Sequence, residues 1–292
     1  MANLKEVRTR ITSVNSTAQI TSAMKMVAAS KLRRAQMAIV NMRPYAQKLN
    51  AILQNVTESL DTSEGNSFGG DRVLNKALIV VITSNRGLCG AFNANVIKRS
   101  LQLIEEDFSA IKQKVDIITI GKKATDYFSK KAFNHVGSYD DFYNDLSFEN
   151  VSPLATELLE KYKNKDYDKI IIVYNMFKNA ATQLVTAEQL LPVLPTEKEA
   201  GDKQNNNFLF EPSQEEIVES LLPSILKTQF YKTLLDSYAS EHGARMTAMQ
   251  QATDNAHEMI RELKLTYNKA RQAAITGEIL EIVGGAEALK NA

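Results

Sequence analysis

Residues 4–42 read LKEVRTRITSVNSTAQITSAMKMVAASKLRRAQMAIVNM, and apolar or small side chains recur there every three or four positions. The series runs on to residue 60, and its members are Leu4, Val7, Ile11, Val14, Ala18, Thr21, Lys25, Ala28, Leu32, Ala35, Ile39, Met42, Ala46, Leu49, Leu53, Val56 and Leu60. Alternating 3,4 spacing sustained over many turns is typical of a coiled coil. We therefore predict one long helix over residues 3–60, with a kink or loosening just before Pro44.

Residues 246–277, MTAMQQATDNAHEMIRELKLTYNKARQAAITG, repeat the same spacing near the other end of the chain. The series there is Met246, Met249, Thr253, Ala256, Ile260, Leu263, Tyr267, Ala270, Ala274 and Gly277. A capping box formed by Ser213 and Glu216 predicts where this second helix begins. The two series predict one antiparallel coiled coil with the rest of the chain inserted at one end. Its alanines and threonines bury little area, so it should be slim and only modestly stable alone.

Composition narrows the class of protein. The chain has 292 residues and 44% hydrophobic residues, enough for one or two domains with a real core. No apolar run approaches the roughly 20 residues that span a bilayer, and no secretory signal is visible. One cysteine, Cys89, excludes an internal disulfide and a cysteine metal cluster. These features favour a cytoplasmic setting.

Charge is distributed unevenly along the chain. The whole chain carries a net charge of +1, whereas residues 1–60 contain nine basic and two acidic residues. The first helix is therefore about +7 and the remainder about −6. Such a helix could face nucleic acid, anionic lipid or an acidic protein surface, or it could simply be solvated. Only Tyr45 could stack on bases, which argues against nucleic acid.

The middle of the chain alternates strand and helix patterns. Apolar runs predict strands at residues 77–83, 115–120 and 169–174, and the intervening patterns predict helices at 91–107, 122–133 and 153–164. This alternation predicts a parallel, doubly wound sheet, to which residues 183–194 could add a strand. We predict a polar linker at 61–71 and a mobile loop at 196–207. The predicted domains are 1–60 (coiled-coil helix), 72–195 (Rossmann-like α/β domain) and 213–292 (coiled-coil helix).

The turn Ser84–Gly90, SNRGLCG, is the one motif that suggests chemistry. A glycine turn before a helix can hold a phosphate, but this turn is neither a Walker motif nor G-x-G-x-x-G. A tight structural turn is the better interpretation, with a nucleotide site as the alternative. His135, His242 and His257 lack metal-ligand spacing, and Cys89 has no obvious histidine partner. Composition and motifs therefore predict no catalytic set, no metal and no cofactor.

The two series of residues with 3,4 spacing are here called the seam. Some apolar residues at the C-terminal end lie outside it. Ile275, Ile279, Leu280, Ile282 and Val283 surround the helix, and a helix that is apolar all round is buried in something. Since the predicted core lies elsewhere, the interpretation is a tip that is held by a partner protein; a tip that folds back on its own chain is the alternative. Glu278 and Glu281, near Arg271, are candidates for polar contacts with that partner.

Three segments together resemble the γ subunits of F-type ATP synthases. They are Ile20–Gln36 (ITSAMKMVAASKLRRAQ), Thr83–Asn93 (TSNRGLCGAFN) and Ile275–Ala288 (ITGEILEIVGGAEA), with SEHGARM and YNKARQ between them. The resemblance runs from end to end. It implies a fold made of a long antiparallel coiled coil of the N- and C-terminal helices plus a central Rossmann-like α/β domain.

The resemblance also implies a role. It implies a rotor shaft that carries torque between the membrane c-ring and the catalytic β subunits and so couples proton flow to ATP synthesis or hydrolysis, with no catalytic site or cofactor of its own. The implied partners are the α and β subunits around the shaft, ε and the c-ring, with no nucleic acid. The implied location is the cytoplasmic face of a bacterial plasma membrane. Implied rotor–stator contacts are Met24, Lys25, Arg33, Arg245, Gln272, Thr276, Glu278 and Glu281.

Some positions depart from the family pattern. Asn85 stands where many relatives have aspartate, and Gly243 stands where a better helix former is common, which predicts a locally soft shaft. With Cys89 alone, thiol switching of the chloroplast kind is excluded. Two other classes of function compete with this one. The first is an enzyme or nucleotide sensor, and the second is a basic coiled-coil scaffold for nucleic acid.

Overall fold

The computed structural model describes residues 4–59, 74–193 and 214–290. The predicted linker at 61–71, the predicted loop at 196–207 and Ser213 of the capping box lie outside these residues. The elements in chain order are α1 (Leu4–Ser59), β1 (Ala77–Ile82), α2 (Phe92–Glu106), β2 (Val115–Ile120), α3 (Lys122–Phe128), β3 (Asn134–Ser138), α4 (Phe148–Lys163), β4 (Lys169–Phe177), β5 (Gln183–Leu191) and α5 (Gln214–Lys290), with 3-10 turns at Ser109–Lys114 and Asp141–Tyr143.

The chain divides into two compact units. One, here the helical unit, joins Met1–Ala28 to Met246–Ala292. The other, here the α/β unit, is Ala29–Arg245. The long helices α1 and α5 each contribute residues to both units, so the units do not coincide with the three predicted segments.

The predicted seam forms the interior of the helical unit. Every seam residue of this unit is buried or half-buried, and the most buried are Val7, Ala18, Thr21, Ala28, Met249, Thr253 and Ala256. The hydroxyls of Thr21 and Thr253 lie 2.7 Å apart across the seam. The same hydroxyls reach their own helices' carbonyls, Thr21 at Ala18 and Thr253 at Met249. Small seam residues thus let the two helices approach closely while the polar atoms keep partners.

Within the α/β unit, α1 and α5 run antiparallel. Lys31 interacts electrostatically with Glu241, and Arg34, about one turn later on α1, interacts with Tyr238, about one turn earlier on α5. The predicted seam residues Leu32, Ala35 and Leu49 are buried here as well. The predicted antiparallel pairing of the terminal helices is therefore confirmed. The α1 helix continues through Pro44 in the structure.

The sheet has the order β3-β2-β1-β4-β5. The first four strands are parallel to their neighbours, as the alternation of strands and helices predicts. Strand β5 confirms the further strand expected at 183–194, and it pairs antiparallel with β4, so the sheet is mixed. Only residues 178–182 separate the two strands, which is too short for the crossover that a parallel pair needs.

Both faces of the sheet are covered. One face carries α4 and the start of α5, and Leu158, Tyr162, Leu226 and Phe230 are among the buried residues of that layer. The other face carries α2 and α3, with Val96, Leu103 and Phe128. Residues 222–234 of the predicted C-terminal coiled-coil segment therefore form one layer of the α/β core. Their apolar side chains surround the helix too widely for a two-helix seam alone.

Two helix boundaries differ from the prediction by more than three residues, and one strand was not predicted. The α4 helix begins at Phe148 rather than Pro153, because Ser147 caps it by accepting a hydrogen bond from the Asn150 amide at 3.4 Å. The α3 helix ends at Phe128 rather than Phe133. Strand β3, NHVGS, was not predicted, since it is short, partly exposed and lacks an apolar run.

Candidate functional site

The turn Ser84–Gly90 follows β1, and several of its polar groups bond within the chain. The Ser84 amide donates to Asn93 Oδ1 at 2.9 Å, and Ser84 Oγ donates to the Arg86 carbonyl at 2.7 Å. The Asn85 side chain donates to the Asp140 carbonyl and accepts from the Lys122 amide. These internal bonds hold the turn in shape, as the interpretation of a tight structural turn expects.

Arg245 of α5 closes over this turn. Its Nη2 donates to the carbonyls of Arg86 at 3.0 Å and Gly87 at 3.2 Å, while its Nη1 contacts Glu241 Oε1 at 2.5 Å. The side chain is only 8% exposed. Sequence reasoning placed Arg245 among the contacts with partner subunits, and that role stays a prediction. The (i, i+4) spacing of Glu241 and Arg245 is the signal that could have revealed the intrachain pairing.

His242 lies beside this ion pair in a neutral state. Burial, together with the positive charges of Arg245 and Lys31, lowers the pKa of the imidazole to about 3. Arg245 Nη1 lies 3.4 Å from His242 Nδ1. The ring also stands edge-on to Tyr238, with centroids 4.4 Å apart. Burial and the arginine donor beside Nδ1 both disfavour the imidazolium.

We predict that His242 makes the α/β unit sensitive to acid. The unfolded histidine takes up a proton as the pH falls below about 6.5, whereas the native one does so only near 3, so stability present above pH 6.5 is lost on acidification. The free energy of unfolding should fall by about 2 kcal/mol from this residue between pH 7 and pH 5. Urea titrations followed by tyrosine fluorescence at both pH values measure it.

The matched variant for this prediction is His242→Gln. Glu241 acts in the opposite direction, because burial raises its pKa and the native carboxyl holds its proton more readily than the unfolded one. Since Glu241 remains in both proteins, the difference between their pH profiles isolates His242. Identical pH profiles for the two proteins would contradict the prediction.

Close packing explains why a glycine stands at position 243. A Cβ built at this position would meet Cα and the carbonyl oxygen of Ala180 at 3.2 Å each. Ala180 lies in the short turn between β4 and β5. The glycine therefore permits a close approach of α5 to that turn, so its presence here reflects packing.

The other predicted contact residues lie at the surface or beside the seam. Met24 and Lys25 of the helical unit are half-buried on α1, and Arg33 of the α/β unit is exposed. On α5 the exposed members are Gln272, Thr276, Glu278 and Glu281. These four fall within ten residues of one helix, so the structure brings them together on the C-terminal part of the helical unit.

The same part of α5 exposes a large apolar surface. Exposed fractions there range from 48% at Ile275 to 83% at Leu289, and the other large apolar residues are Ile279, Leu280, Ile282 and Val283. On α1 of the same unit, Ile20, Met26 and Val27 are exposed by more than half. The exposed apolar residues concentrated in one segment of α5, residues 275–289, mark a binding interface. We call residues 275–289 the apolar tip.

The described part of the chain shows neither a metal site nor a membrane span. Across residues 4–59, 74–193 and 214–290, no group of three or more histidine, cysteine or acidic side chains is arranged to hold a metal ion. None of the helices described there combines the length and hydropathy that a bilayer span requires.

A helical pair with an exposed apolar tip, joined in sequence to a five-stranded α/β unit, is the fold of rotary ATPase central stalks. It matches a chain of the Euglena gracilis mitochondrial ATP synthase OSCP/F1/c-ring structure with a TM-score of 0.69 and 27% identity, covering 98% of this chain and 94% of that one. It also matches a chain of the Tetrahymena thermophila central stalk and c-ring with a TM-score of 0.58 and 25% identity, covering 80% and 99%.

Sequence relatives specify the family. The profile of the ATP synthase family matches residues 3–289. The ATP synthase gamma chain of Flavobacterium johnsoniae is 58% identical over 289 residues, covering 99% of both chains. That of Flavobacterium psychrophilum is 57% identical over 290 residues, covering 99% of this chain and all of the relative. The chain belongs to the family of ATP synthase gamma chains.

Proposed function

We propose that this chain is the rotor shaft of a proton-translocating F-type ATP synthase. In this role it transmits torque between the membrane c-ring and the catalytic β subunits, while the chemistry takes place on β. The observation that carries the proposal is the apolar tip, whose side chains are exposed in the chain alone and need a partner to cover them. Membership of the family supports a ring of α and β subunits as that partner.

The helical unit suits a shaft. Its seam of alanines and threonines keeps the helical pair narrow enough for a central cavity. An apolar tip can turn inside an apolar collar with few directional bonds to break at each step. In functional terms we assign residues 1–60 and 213–292 to the shaft and residues 72–195 to its foot, beside ε and the c-ring. The complex would hold the chain as a peripheral protein at the cytoplasmic face of the bacterial plasma membrane.

We further propose which residues contact the stator. Met24, Lys25 and Arg33 of α1 would face acidic loops of the β subunits, since the first 60 residues carry a large excess of positive charge. Gln272, Thr276, Glu278 and Glu281 would make the polar contacts of the tip. Their exposure in the isolated chain supports this assignment.

The experiment that tests the function is reconstitution. The chain is expressed with and without the cognate α and β subunits, and the purified complex is assayed for ATP hydrolysis. A hexamer that carries one copy of this chain, and whose steady hydrolysis depends on that copy, is the expected result. A chain that stays monodisperse and ignores α and β would refute the proposal, and titration of the full chain with ATP would then test the nucleotide-sensor class.

We predict that Met24→Lys impairs coupling more than folding. Met24 is half-buried beside the seam, next to Lys25, and a second cation there would form an ionic contact that the stator does not normally meet. Unfolding free energy should change by less than about 1 kcal/mol, because a lysine stem can carry its charge to water. Fewer protons should be pumped per ATP hydrolysed in reconstituted vesicles.

Met26→Lys is the matched control. Met26 lies two positions away on the same helix and is 65% exposed, so the same change of charge is made outside the proposed contact. Equal pumping stoichiometry in the two variants would show that position 24 has no special role.

A further inference from the structure

We propose that Arg245 is a positioning residue: with Glu241 it forms a latch that holds the turn Arg86–Gly90 in shape and keeps Cys89 sealed. The latch is a property of the chain alone and goes beyond the proposed function. Its test therefore does not depend on assembly with α and β.

The first support is that the two terminal nitrogens of the Arg245 guanidinium have different partners. Nη1 contacts the Glu241 carboxylate, and Nη2 donates to the two consecutive carbonyls of Arg86 and Gly87. The Glu241 carboxylate orients the Arg245 side chain on α5, and the oriented guanidinium then holds the turn through its two carbonyls. Arg245 and Glu241 are 8% and 6% exposed, so water competes little with these bonds.

The second support is that the backbone of the turn is strained and needs bonds from outside the turn to keep its conformation. Leu88 has φ +63° and Gly90 has φ +61°. The left-handed conformation costs a leucine about 1–2 kcal/mol, because its Cβ crowds the following carbonyl. Leu88 is also 63% exposed, so it gains little from packing. A strained backbone of this kind persists where its surroundings fix it, and the bonds from Arg245 enter the turn one and two residues before the strained position.

The third support is what lies under the turn. Cys89 is 1% exposed, and its Sγ lies 3.3 Å from Asn93 Nδ2 and 3.8 Å from Ser84 Oγ. Its thiol is also within 3.9 Å of the Arg86 carbonyl, one of the two groups that Arg245 holds. Opening the turn would therefore uncover this thiol, which makes Cys89 a built-in reporter of the latch.

The exposure of Arg245 argues against a direct contact role. Nη1 and Nη2 of its guanidinium both form hydrogen bonds within the chain, and little of its surface is available to another protein. Substituting it would also remove the Arg245 donor from two turn carbonyls and from a buried carboxylate, and such losses are costly.

The experiment measures Cys89 labelling by a thiol-reactive aromatic disulfide in the folded full-length chain. Arg245→Gln should label at least about tenfold faster than the wild type, since it removes charge-assisted hydrogen bonds. Arg245→Lys, which keeps the charge but loses the forked geometry, should show a smaller increase. Arg261→Gln makes the same chemical change at an exposed position of α5 and should label at the wild-type rate.

Two further measurements separate a latch from general destabilisation. Local opening exposes little surface, so the faster labelling should depend only weakly on urea below the unfolding transition. Adding Leu88→Asn to Arg245→Lys should recover part of the protection, because asparagine tolerates the left-handed conformation. If Arg245→Gln does not fold, Arg245→Lys with and without Leu88→Asn gives the same comparison.

Three results would overturn the latch: a wild-type labelling rate in both Arg245 variants, an increase that has the full urea dependence of global unfolding, or no recovery with Leu88→Asn. Failure of the proposed function would instead appear as a chain that shows the latch behaviour but does not assemble with α and β.

Discussion

Gly121→Ala is expected to unfold the α/β unit, with a loss of more than about 4 kcal/mol. A Cβ at this position would lie 2.1 Å from the carbonyl oxygen and 2.7 Å from the carbonyl carbon of Thr83. Those atoms belong to the backbone, so no side-chain rotation can relieve the overlap. Gly121 also has φ +99°, which an alanine adopts only under strain.

The surroundings of Gly121 cannot move apart easily. The Thr83 amide donates to the Ile120 carbonyl at 2.8 Å, and Thr83 Oγ1 donates to the Gly121 carbonyl at 3.1 Å. The same hydroxyl accepts from the Ala124 amide at 2.9 Å. These bonds join the ends of β1 and β2 to the start of α3, so relief of the clash would break the join.

Urea unfolding and the yield of soluble protein measure this effect. The control is Gly87→Ala in the same unit, where a Cβ would meet nothing within 4 Å, and its unfolding midpoint should stay close to that of the wild type. Should Gly121→Ala unfold within about 1 kcal/mol of the wild type, the close approach of Gly121 to Thr83 would be refuted.

Phe230→Ala should detach the start of α5 from the sheet and cost about 3–5 kcal/mol. The phenyl ring is fully buried in the cluster that includes Leu78 and Val80 of β1, Leu158 of α4 and Leu226 of α5. Removing it leaves a cavity that the surrounding strands cannot fill. If the chain is a rotor shaft, the loosened helix should also lower the ATP-driven proton pumping of the reconstituted complex.

Lys232→Ala is the comparison for this change. It lies two positions along the same helix and is exposed, so it should alter stability by less than about 0.5 kcal/mol. The two variants are compared by urea unfolding of the full chain, then by pumping in vesicles. A Phe230→Ala protein as stable as Lys232→Ala would mean that this part of α5 does not carry the core.

Sequence periodicity predicted the long helices and three of the strands for a local reason. A 3,4 repeat places the same face of a helix inward at every turn, whatever its partner, and seam residues from Val7 to Ala256 are buried accordingly. The strand predicted at 115–120 matches β2 residue for residue, because its β-branched run, interrupted only by Asp116, suits a strand that is buried on both faces.

The candidate site was only partly predictable. The apolar tip could be recognised because apolar residues on every side of a helix conflict with solvent at any orientation. The direction of the Arg245 side chain could not be predicted, because an arginine in a helical sequence fits an outward contact as well as an inward one. The partners that turn it inward are carbonyls 158 and 159 residues away in the chain.

The sequence by itself thus determined the paired terminal helices, the inner strands of the sheet, the apolar tip and, through family resemblance, the role. Only the tertiary structure decided the antiparallel direction of β5, the docking of residues 222–234 on the sheet, the need for glycine at position 121 and the closure of Arg245 over the turn. The physical reason is the distance along the chain over which each interaction acts. Periodicity and residue type act between neighbours along the chain, whereas clashes, buried ion pairs and carbonyl partners exist only once distant segments are packed together.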